Sequence, residues 1–214
     1  MSDPQYRPRH LLAPIAHSYA RRLRQYGAGP KGVFWKNGDT QALRFQVLLG
    51  ILDGADLGGG ISIADFGCGY GALFEAIRDE PFMNGSRYVG YDMTKTMVET
   101  AAVRLADPRV SFRHAVAVTE PADYVLVSGT YNLKNAADDR EWEAYIRASL
   151  VQLWSMTGKG LAFNLLTSRA AERESGLFYA DAARFFDFCT KILGPRVTMV
   201  AETPRGETTF KIRR

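Results

Sequence analysis

An acidic residue followed by three alternating glycines has the residue types and spacing best suited to ligand binding in this chain. Asp65 is followed by Gly67, Gly69 and Gly71. Glycine adopts positive φ and lets the backbone lie close against a ligand. The apolar run before Asp65 predicts a strand, and the spacing after Gly71 predicts a helix whose first N–H groups lack intrahelical partners. The pattern therefore predicts a strand, a turn and a helix start facing a polar ligand.

A second acid ends the next predicted strand, where Tyr88-Val89-Gly90-Tyr91 leads to Asp92. A carboxylate in this position can accept hydrogen bonds from both hydroxyls of an adenosine ribose, as in dinucleotide-binding folds. Asp92 could instead cap the helix that begins near Thr94. The predicted strand, the acid at its end and the distance of that acid from the glycine turn together favour the ribose role.

Other classes of site do not match. The glycine spacing is GxGxG, whereas phosphate binding favours GxGxxG, and the lysine and Ser/Thr of a P-loop are missing. The two cysteines, Cys68 and Cys189, are too few and too far apart for a metal site or a disulfide framework. No His, Asp and Glu cluster has metal-ligand spacing, so we expect no metal.

The order acid-x-G-x-G-x-G resembles the first motif of class I S-adenosylmethionine-dependent methyltransferases, and Asp92 extends the resemblance. The resemblance implies S-adenosylmethionine as the cofactor. It places Asp65 near the methionine ammonium and the backbone of the three glycines against the methionine and ribose. Asp92 would hold the ribose, and Met93 would lie against adenine or belong to the core.

Two further cofactor contacts follow from the later strands. The family often has an acid after the third strand that reads the adenine amine, but Ala115 stands there, which leaves backbone groups or His114. His114 could equally be a packed or surface histidine. After the fourth strand, the carbonyls of Ser128 and Gly129 would lie beside the sulfonium and ammonium groups.

The acceptor side is predicted from the same loop. Thr130, Tyr131 and Asn132 would face the transferred methyl group, with Tyr131 as an orienting phenol. The Asn/Asp-Pro-Pro-Tyr sequence of nucleic-acid amino methyltransferases is not matched, because the prolines are missing. A hydroxyl acceptor would need a general base; His17, Tyr131 and Asp181 are candidates, although His17 could simply face solvent.

The N-terminal part predicts a lid. Trp35, Gln41, Arg44 and Phe45 resemble a group of small bacterial methyltransferases. By this resemblance the first helix covers the site and Arg44 pairs with the methionine carboxylate, unless Arg44 is a solvated surface residue. We expect a helical lid over residues 1–57 and a Rossmann-like core over residues 58–214, within one domain.

Alternating apolar runs and amphipathic segments predict an α/β fold with a mostly parallel sheet. The resemblance implies the strand order 3-2-1-4-5-7-6 with an antiparallel terminal hairpin. The expected strands are 61–66, 87–92, 109–115, 123–128, 160–166, 196–200 and 208–212, and the expected helices are 11–26, 40–52, 72–79, 94–106, 138–157 and 180–193.

Composition is that of a globular domain, with 214 residues, 46% hydrophobic and 23% charged. No apolar run is long enough to span a bilayer, and the N-terminus does not look like a signal peptide, so we expect a cytoplasmic protein without a membrane partner. Residues 1–44 hold eight basic and two acidic residues. This arm could attract nucleic acid, an anionic substrate or an acidic partner, or be a solvated helix face.

The leading functional prediction is methyl transfer to an O or N atom of a small molecule, since no nucleic-acid-reading module is evident. The alternatives are a tRNA, rRNA or protein methyltransferase that uses the basic arm, and a non-catalytic cofactor-binding subunit. A nicotinamide-dependent enzyme is disfavoured by the GxGxG spacing and the terminal hairpin. The oligomeric state is not predicted.

Overall fold

The computed structural model describes residues 8–35, 38–170, 172–201 and 206–214, which form helices and strands. The helices are α1 Arg9–Tyr26, α2 Gly38–Leu49, α3 Ala72–Ile77, α4 Lys95–Arg104, α5 Asp139–Ser155 and α6 Ala182–Phe188. The strands are β1 Ser62–Phe66, β2 Arg87–Asp92, β3 Val110–His114, β4 Ala122–Val127, β5 Thr157–Leu166, β6 Val197–Val200 and β7 Glu207–Arg213. No helix in these ranges is both long and apolar enough to cross a membrane.

The sheet has the order β3-β2-β1-β4-β5-β7-β6 over the described residues, which confirms the predicted order. The first five strands pair in parallel. β7 pairs antiparallel with both β5 and β6, so the expected terminal hairpin is present. Part of its connecting loop, residues 202–205, lies outside the described residues.

Both faces of the sheet are covered, as a parallel sheet requires. Successive strand residues point to opposite faces, so Val125 and Val127 of β4 join one core while Tyr124 and Leu126 join the other. The first core also contains buried residues of α1, α5 and α6, and the second contains residues of α2 and α3. The helices therefore hold the strand ends in place from both sides.

Most element boundaries differ from the prediction by one to three residues, and two of the differences have a structural reason. β5 begins at Thr157, because Gly158 and Gly160 are tolerated inside the strand. A Cβ on Gly160 would lie 2.7 Å from Cγ1 of Ile51, so glycine lets the segment after α2 pack on β5. The last predicted helix ends as an α-helix at Phe188 and continues as a π-helical turn, Cys189–Leu193.

A buried ion pair joins the N-terminal segment to the sheet. Arg44 of α2 donates from Nε to Oε2 of Glu207 at 2.6 Å and from Nη2 to Oε1. Both side chains are at most 3% exposed. Oε2 of Glu207 also accepts from Nδ2 of Asn164 on β5 at 3.1 Å. Removing one partner would leave the other charge buried in a medium that solvates it poorly.

We therefore expect Glu207→Gln to lower the free energy of unfolding by about 3–5 kcal/mol, measured by urea denaturation. The control is Asp53→Asn, which breaks the solvent-exposed ion pair between Asp53 and Arg213. An exposed pair contributes about 0–1 kcal/mol. Equal losses in the two variants would contradict a special role for the Arg44–Glu207 pair.

Candidate active site

The glycine turn is held in one conformation by contacts on both sides. Gly67, Gly69 and Gly71 have φ of +81°, +55° and +86°. A Cβ on Gly67 would lie 2.2 Å from Oγ1 of Thr130, so the position requires glycine. The N–H groups of Gly67 and Cys68 both donate to the carbonyl of Tyr91 at the end of β2, at 2.7 and 3.0 Å. The turn is thereby fixed between the carboxyl ends of β1, β2 and β4.

A cavity of about 90 Å³ opens at this edge, where strand order reverses between β1 and β4. We call it the crevice. In open α/β sheets this is where ligands bind. Seven of the ten predicted cofactor-binding residues line it, namely Asp65, Gly67, Gly69, Asp92, Met93, Ser128 and Gly129. The sequence-based prediction therefore identified residues that the fold brings together.

Asp65 is the most deeply buried acid of the crevice, at 2% exposure. Its Oδ2 accepts a hydrogen bond from the hydroxyl of Tyr88. Its Oδ1 is buried and has no hydrogen-bond partner among the described residues. Burial raises the pKa of Asp65 to about 7, against the bond from Tyr88, and the charge of Asp92 adds to the rise. A cationic ligand group at Oδ1 would satisfy this oxygen and offset the burial of its charge.

The carboxylate of Asp92 accepts hydrogen bonds from the backbone of two neighbouring loops. Its Oδ2 accepts from the N–H of Gly69 at 2.9 Å, and its Oδ1 accepts from the N–H of Thr94 at 2.7 Å. Burial raises its pKa, against these two bonds. Asp92 is not the cap of α4, because Thr94 is the N-cap of that helix, but its side chain holds the N–H of Thr94 just before the helix begins. Each carboxylate oxygen has a second lone pair, so the same side chain can also accept bonds from a ligand.

The loop after β4 forms the opposite wall. The N–H of Gly129 donates to Oδ1 of Asn164 at 2.8 Å, and the hydroxyl of Thr130 donates to the carbonyl of Phe66 at 2.9 Å. A Cβ on Gly129 would lie 2.9 Å from Cζ2 of Trp35. Trp35 is therefore packed directly on the backbone at the end of β4.

The structure corrects the assignment of Tyr131. This side chain is 0% exposed and does not line the crevice. Its hydroxyl forms a hydrogen bond of 2.7 Å with Ser149 of α5, and its ring lies near those of Phe66 and Tyr145. The chain turns after Thr130, so the phenol points into the core. Tyr131 is a packing residue and cannot orient an acceptor from there.

Two histidines are also displaced from the crevice. His17 is exposed on α1, and His114 is exposed at the end of the edge strand β3. A ring nitrogen of His114 lies 3.0 Å from the carbonyl of Met93. Neither residue lines the crevice, so a base at His17 and an adenine contact from His114 are not supported. Ala115 and Val116 line the crevice where the family's acid was expected.

Arg44 and Gly71 have structural contacts of their own. Arg44 pairs with Glu207 and stacks on the ring of Trp35, with 3.4 Å from Cζ to the ring centroid. Gly71 is the N-cap of α3. Neither lines the crevice. A bond from Arg44 to a methionine carboxylate stays a prediction. Asp181, the third candidate base, accepts from the N–H groups of Ala183 and Arg184 as the cap of α6.

Aromatic lining residues were only partly foreseen. Trp35 was noted in the N-terminal segment, and it lines the crevice together with Tyr19 of α1. Trp142 and Tyr145 of α5 also line it but were not predicted. Their i, i+3 spacing on an apolar helix face is the same as that of core residues, so the sequence holds no signal that separates the two roles.

A second cavity of about 270 Å³ adjoins the crevice, and we call it the chamber. Tyr19, Val33, Trp35 and Gly129 line both cavities. Its remaining walls come from Phe34, from the loop after β4, from the end of β5 and the segment that follows it, and from Glu207 of β7. No group of residues that could hold a metal ion occurs in the described ranges.

Comparison with curated proteins gives one close relative. The chain is 34% identical over 156 residues to "Putative methyltransferase Rv1506c" of Mycobacterium tuberculosis. The match covers 72% of this chain and 93% of that protein. No protein-family model matches the chain.

Solved structures share the fold over nearly the whole length. Magnesium protoporphyrin IX methyltransferase from Synechocystis PCC 6803, with bound S-adenosylmethionine, superposes with a TM-score of 0.62 at 15% identity, covering 100% of this chain and 98% of that chain. The 1,6-didemethyltoxoflavin-N1-methyltransferase of Burkholderia thailandensis, with bound S-adenosylhomocysteine, gives 0.66 at 15% identity over 100% and 93%. At such identities the likeness concerns the fold.

The buried carboxylate of Asp65 predicts a pH-dependent stability. An unfolded aspartate has a pKa of about 4, whereas the folded value is about 7, so the folded chain holds this proton more tightly. The stability it contributes is full below about pH 4 and is lost as the pH rises to about 7. Asp65→Asn removes the contribution of Asp65 to the pH dependence of the free energy of unfolding and leaves the contribution of Asp92. The variant should therefore be more stable than the wild type at pH 8, by at most about 4 kcal/mol.

Urea denaturation from pH 4 to pH 9 measures this dependence. Tyr88→Phe serves as the matched variant, because it keeps the ring but deletes the bond that holds the pKa of Asp65 down. Its stability should go on falling to a higher pH than in the wild type. Equal slopes in the wild type and Asp65→Asn would show that folding does not raise the pKa of Asp65.

Proposed function

This chain belongs to the S-adenosylmethionine-dependent methyltransferases, and we propose that it transfers a methyl group from S-adenosylmethionine to an O or N atom of a small-molecule acceptor. The observation that carries the cofactor assignment is the crevice with its two acids, Asp65 and Asp92, on either side of a glycine turn. Both solved structures compared above belong to proteins named for small-molecule acceptors.

The residues of the crevice fit the cofactor part by part. The buried, unsatisfied Oδ1 of Asp65 suits the methionine ammonium. The turn without Cβ atoms at Gly67 and Gly69 lets the backbone approach the ribose and methionine. Asp92 has lone pairs left for the ribose hydroxyls. Met93, with Ala115 and Val116, offers an apolar surface for adenine.

When bound, S-adenosylmethionine supplies an electrophilic methyl group on a sulfonium. The chain's part is to align an acceptor lone pair with that group and to exclude water. Tyr19, Trp35 and Trp142 surround the crevice with aromatic surface that suits this purpose. The backbone at Ser128 and Gly129 faces the same space.

We propose further that the N-terminal segment acts as a lid. Leu12 and Tyr19 of α1, together with Val33 and Trp35, line the crevice from the side opposite the sheet. The crevice of about 90 Å³ has room for only a few water molecules. A nucleoside therefore enters only if some of these covering residues move away and then close over it.

A macromolecular acceptor is less favoured, because cations of the basic N-terminal arm make contacts within the chain. Arg44 of the basic arm is buried against Glu207. Arg22 stacks on Tyr26 and Phe34 and donates to the carbonyl of Lys31. Arg7 and Lys36 lie outside the described residues. At least two of the arm's cations thus serve internal contacts and do not present a free basic surface.

Calorimetric titration with S-adenosylhomocysteine tests the cofactor assignment. We expect the wild type to bind it and not to bind NAD. Asp92→Ala should weaken binding at least about tenfold, because hydrogen bonds from the ribose to a charged group are lost.

The matched control is Asp123→Ala. Asp123 also accepts two hydrogen bonds, from the N–H and the hydroxyl of Ser62, but at the amino ends of the strands. This variant should keep the wild-type affinity. Binding of NAD in place of S-adenosylhomocysteine would overturn the cofactor assignment, and an unchanged affinity in Asp92→Ala would overturn the ribose contact.

A further inference from the structure

The chamber beside the crevice has aromatic walls on several sides. Tyr19, Phe34, Trp35 and Tyr179 line it together with Leu133 and Leu177. The rings of Tyr19 and Phe34 meet edge to face at a centroid distance of 5.3 Å. Aromatic side chains in such a cavity favour a flat, apolar ligand, which can stack or meet them edge on.

The chamber is fixed to the end of β4, where methyl transfer would take place. The segment that carries Leu177 and Tyr179 is bonded to the loop after β4. Phe178 donates to the carbonyl of Asn132 at 2.8 Å, and the carbonyl of Gly176 accepts from Lys134 and Asn135 at 2.9 Å each. Gly129 and Trp35 belong to both cavities. A ligand in the chamber therefore lies next to anything bound in the crevice.

The ionisable groups that line the chamber are mostly acidic. Three glutamates take part, Glu172, Glu174 and Glu207, and no lysine, arginine or histidine does among the described lining residues. Arg44 neutralises Glu207. Glu172 and Glu174 are exposed, and within the described ranges neither side chain has an ion-pair partner. Two uncompensated carboxylates thus stand beside an aromatic cavity.

Two arginines lie near the chamber without lining it. Arg173 lies over the ring of Tyr179 at 5.6 Å, and Arg22 lies over the ring of Phe34 at 4.5 Å. Both contact aromatic side chains of the wall, but neither lines the chamber. An anionic ligand would be repelled by the glutamates without a lining cation to offset them, whereas a cationic ligand would be attracted by them.

We propose that the chamber is the acceptor subsite and that the acceptor is a planar aromatic compound with a positively charged amine, bound by Glu172 and Glu174. The charged amine is the group recognised, and the methylated atom lies elsewhere on the ligand, toward Gly129 and Trp35. This inference rests on the proposed function. A cavity of about 150 Å³ holds one benzene ring, so about 270 Å³ suits one or two fused rings with a short side chain.

Three indoles of similar shape and different charge test the proposal. Tryptamine is a cation, indole-3-propionamide is neutral, and indole-3-propionate is an anion. Each is titrated calorimetrically into the full-length chain, first alone and then with saturating S-adenosylhomocysteine. The wild type should bind tryptamine at least about fivefold more tightly than the amide, and the anion most weakly.

The variants separate charge from shape. In Glu172→Gln/Glu174→Gln the preference for tryptamine should fall below about twofold. The control Glu99→Gln/Asp187→Asn removes two exposed carboxylates on α4 and α6, and it should keep the preference. Leu177→Trp fills the chamber and should abolish binding of all three indoles. Every variant should bind S-adenosylhomocysteine as the wild type does.

The proposal is overturned if the amide or the anion binds as tightly as tryptamine, if the preference survives in the glutamate variant, or if none of the three indoles binds. Failure of the proposed function is seen separately, as absence of S-adenosylhomocysteine binding. The titrations without that ligand still report on the chamber in this case, because its walls belong to the chain.

Discussion

The buried Arg44–Glu207 ion pair and its extension through Asn164 hold the functional edge of this protein together. Asn164 donates to Glu207 and accepts from the N–H of Gly129, so one polar network runs from α2 across β7 and β5 to the loop after β4. The guanidinium of Arg44 also stacks on the ring of Trp35. A buried charge pair tolerates little displacement of either partner, and it therefore fixes the position of Trp35 over Gly129.

The crevice shows a second constraint, which is the burial of acids without matching cations. The charge of Asp92 adds to the rise in the pKa of Asp65, and burial is the largest cause of the raised pKa in both acids. Such an arrangement lowers the stability of the folded chain at neutral pH. It makes sense at a site that receives positively charged groups, since perturbed carboxylates in a cleft are typical of functional sites.

Local patterns account for what the sequence predicted well. Asp65, Gly67 and Asp92 were found because a strand end and a glycine turn are contiguous in the chain, and the strand order followed from a family resemblance. Tyr131 was misplaced because the direction of a side chain after a strand depends on how the loop turns. The partner of Arg44 lies 163 residues away, and the chamber is assembled from four separate segments. The spacing of residues along the sequence does not predict contacts between segments that are so far apart in the chain.

The wall shared by the crevice and the chamber belongs to both of the proposed binding sites. Trp35 packs on Gly129 and borders both cavities. In the proposed lid, the residues that would move to admit a nucleoside are Leu12, Tyr19, Val33 and Trp35. Three of these, Tyr19, Val33 and Trp35, also line the chamber. Under these two proposals, the residues that would close over the cofactor also shape the acceptor subsite.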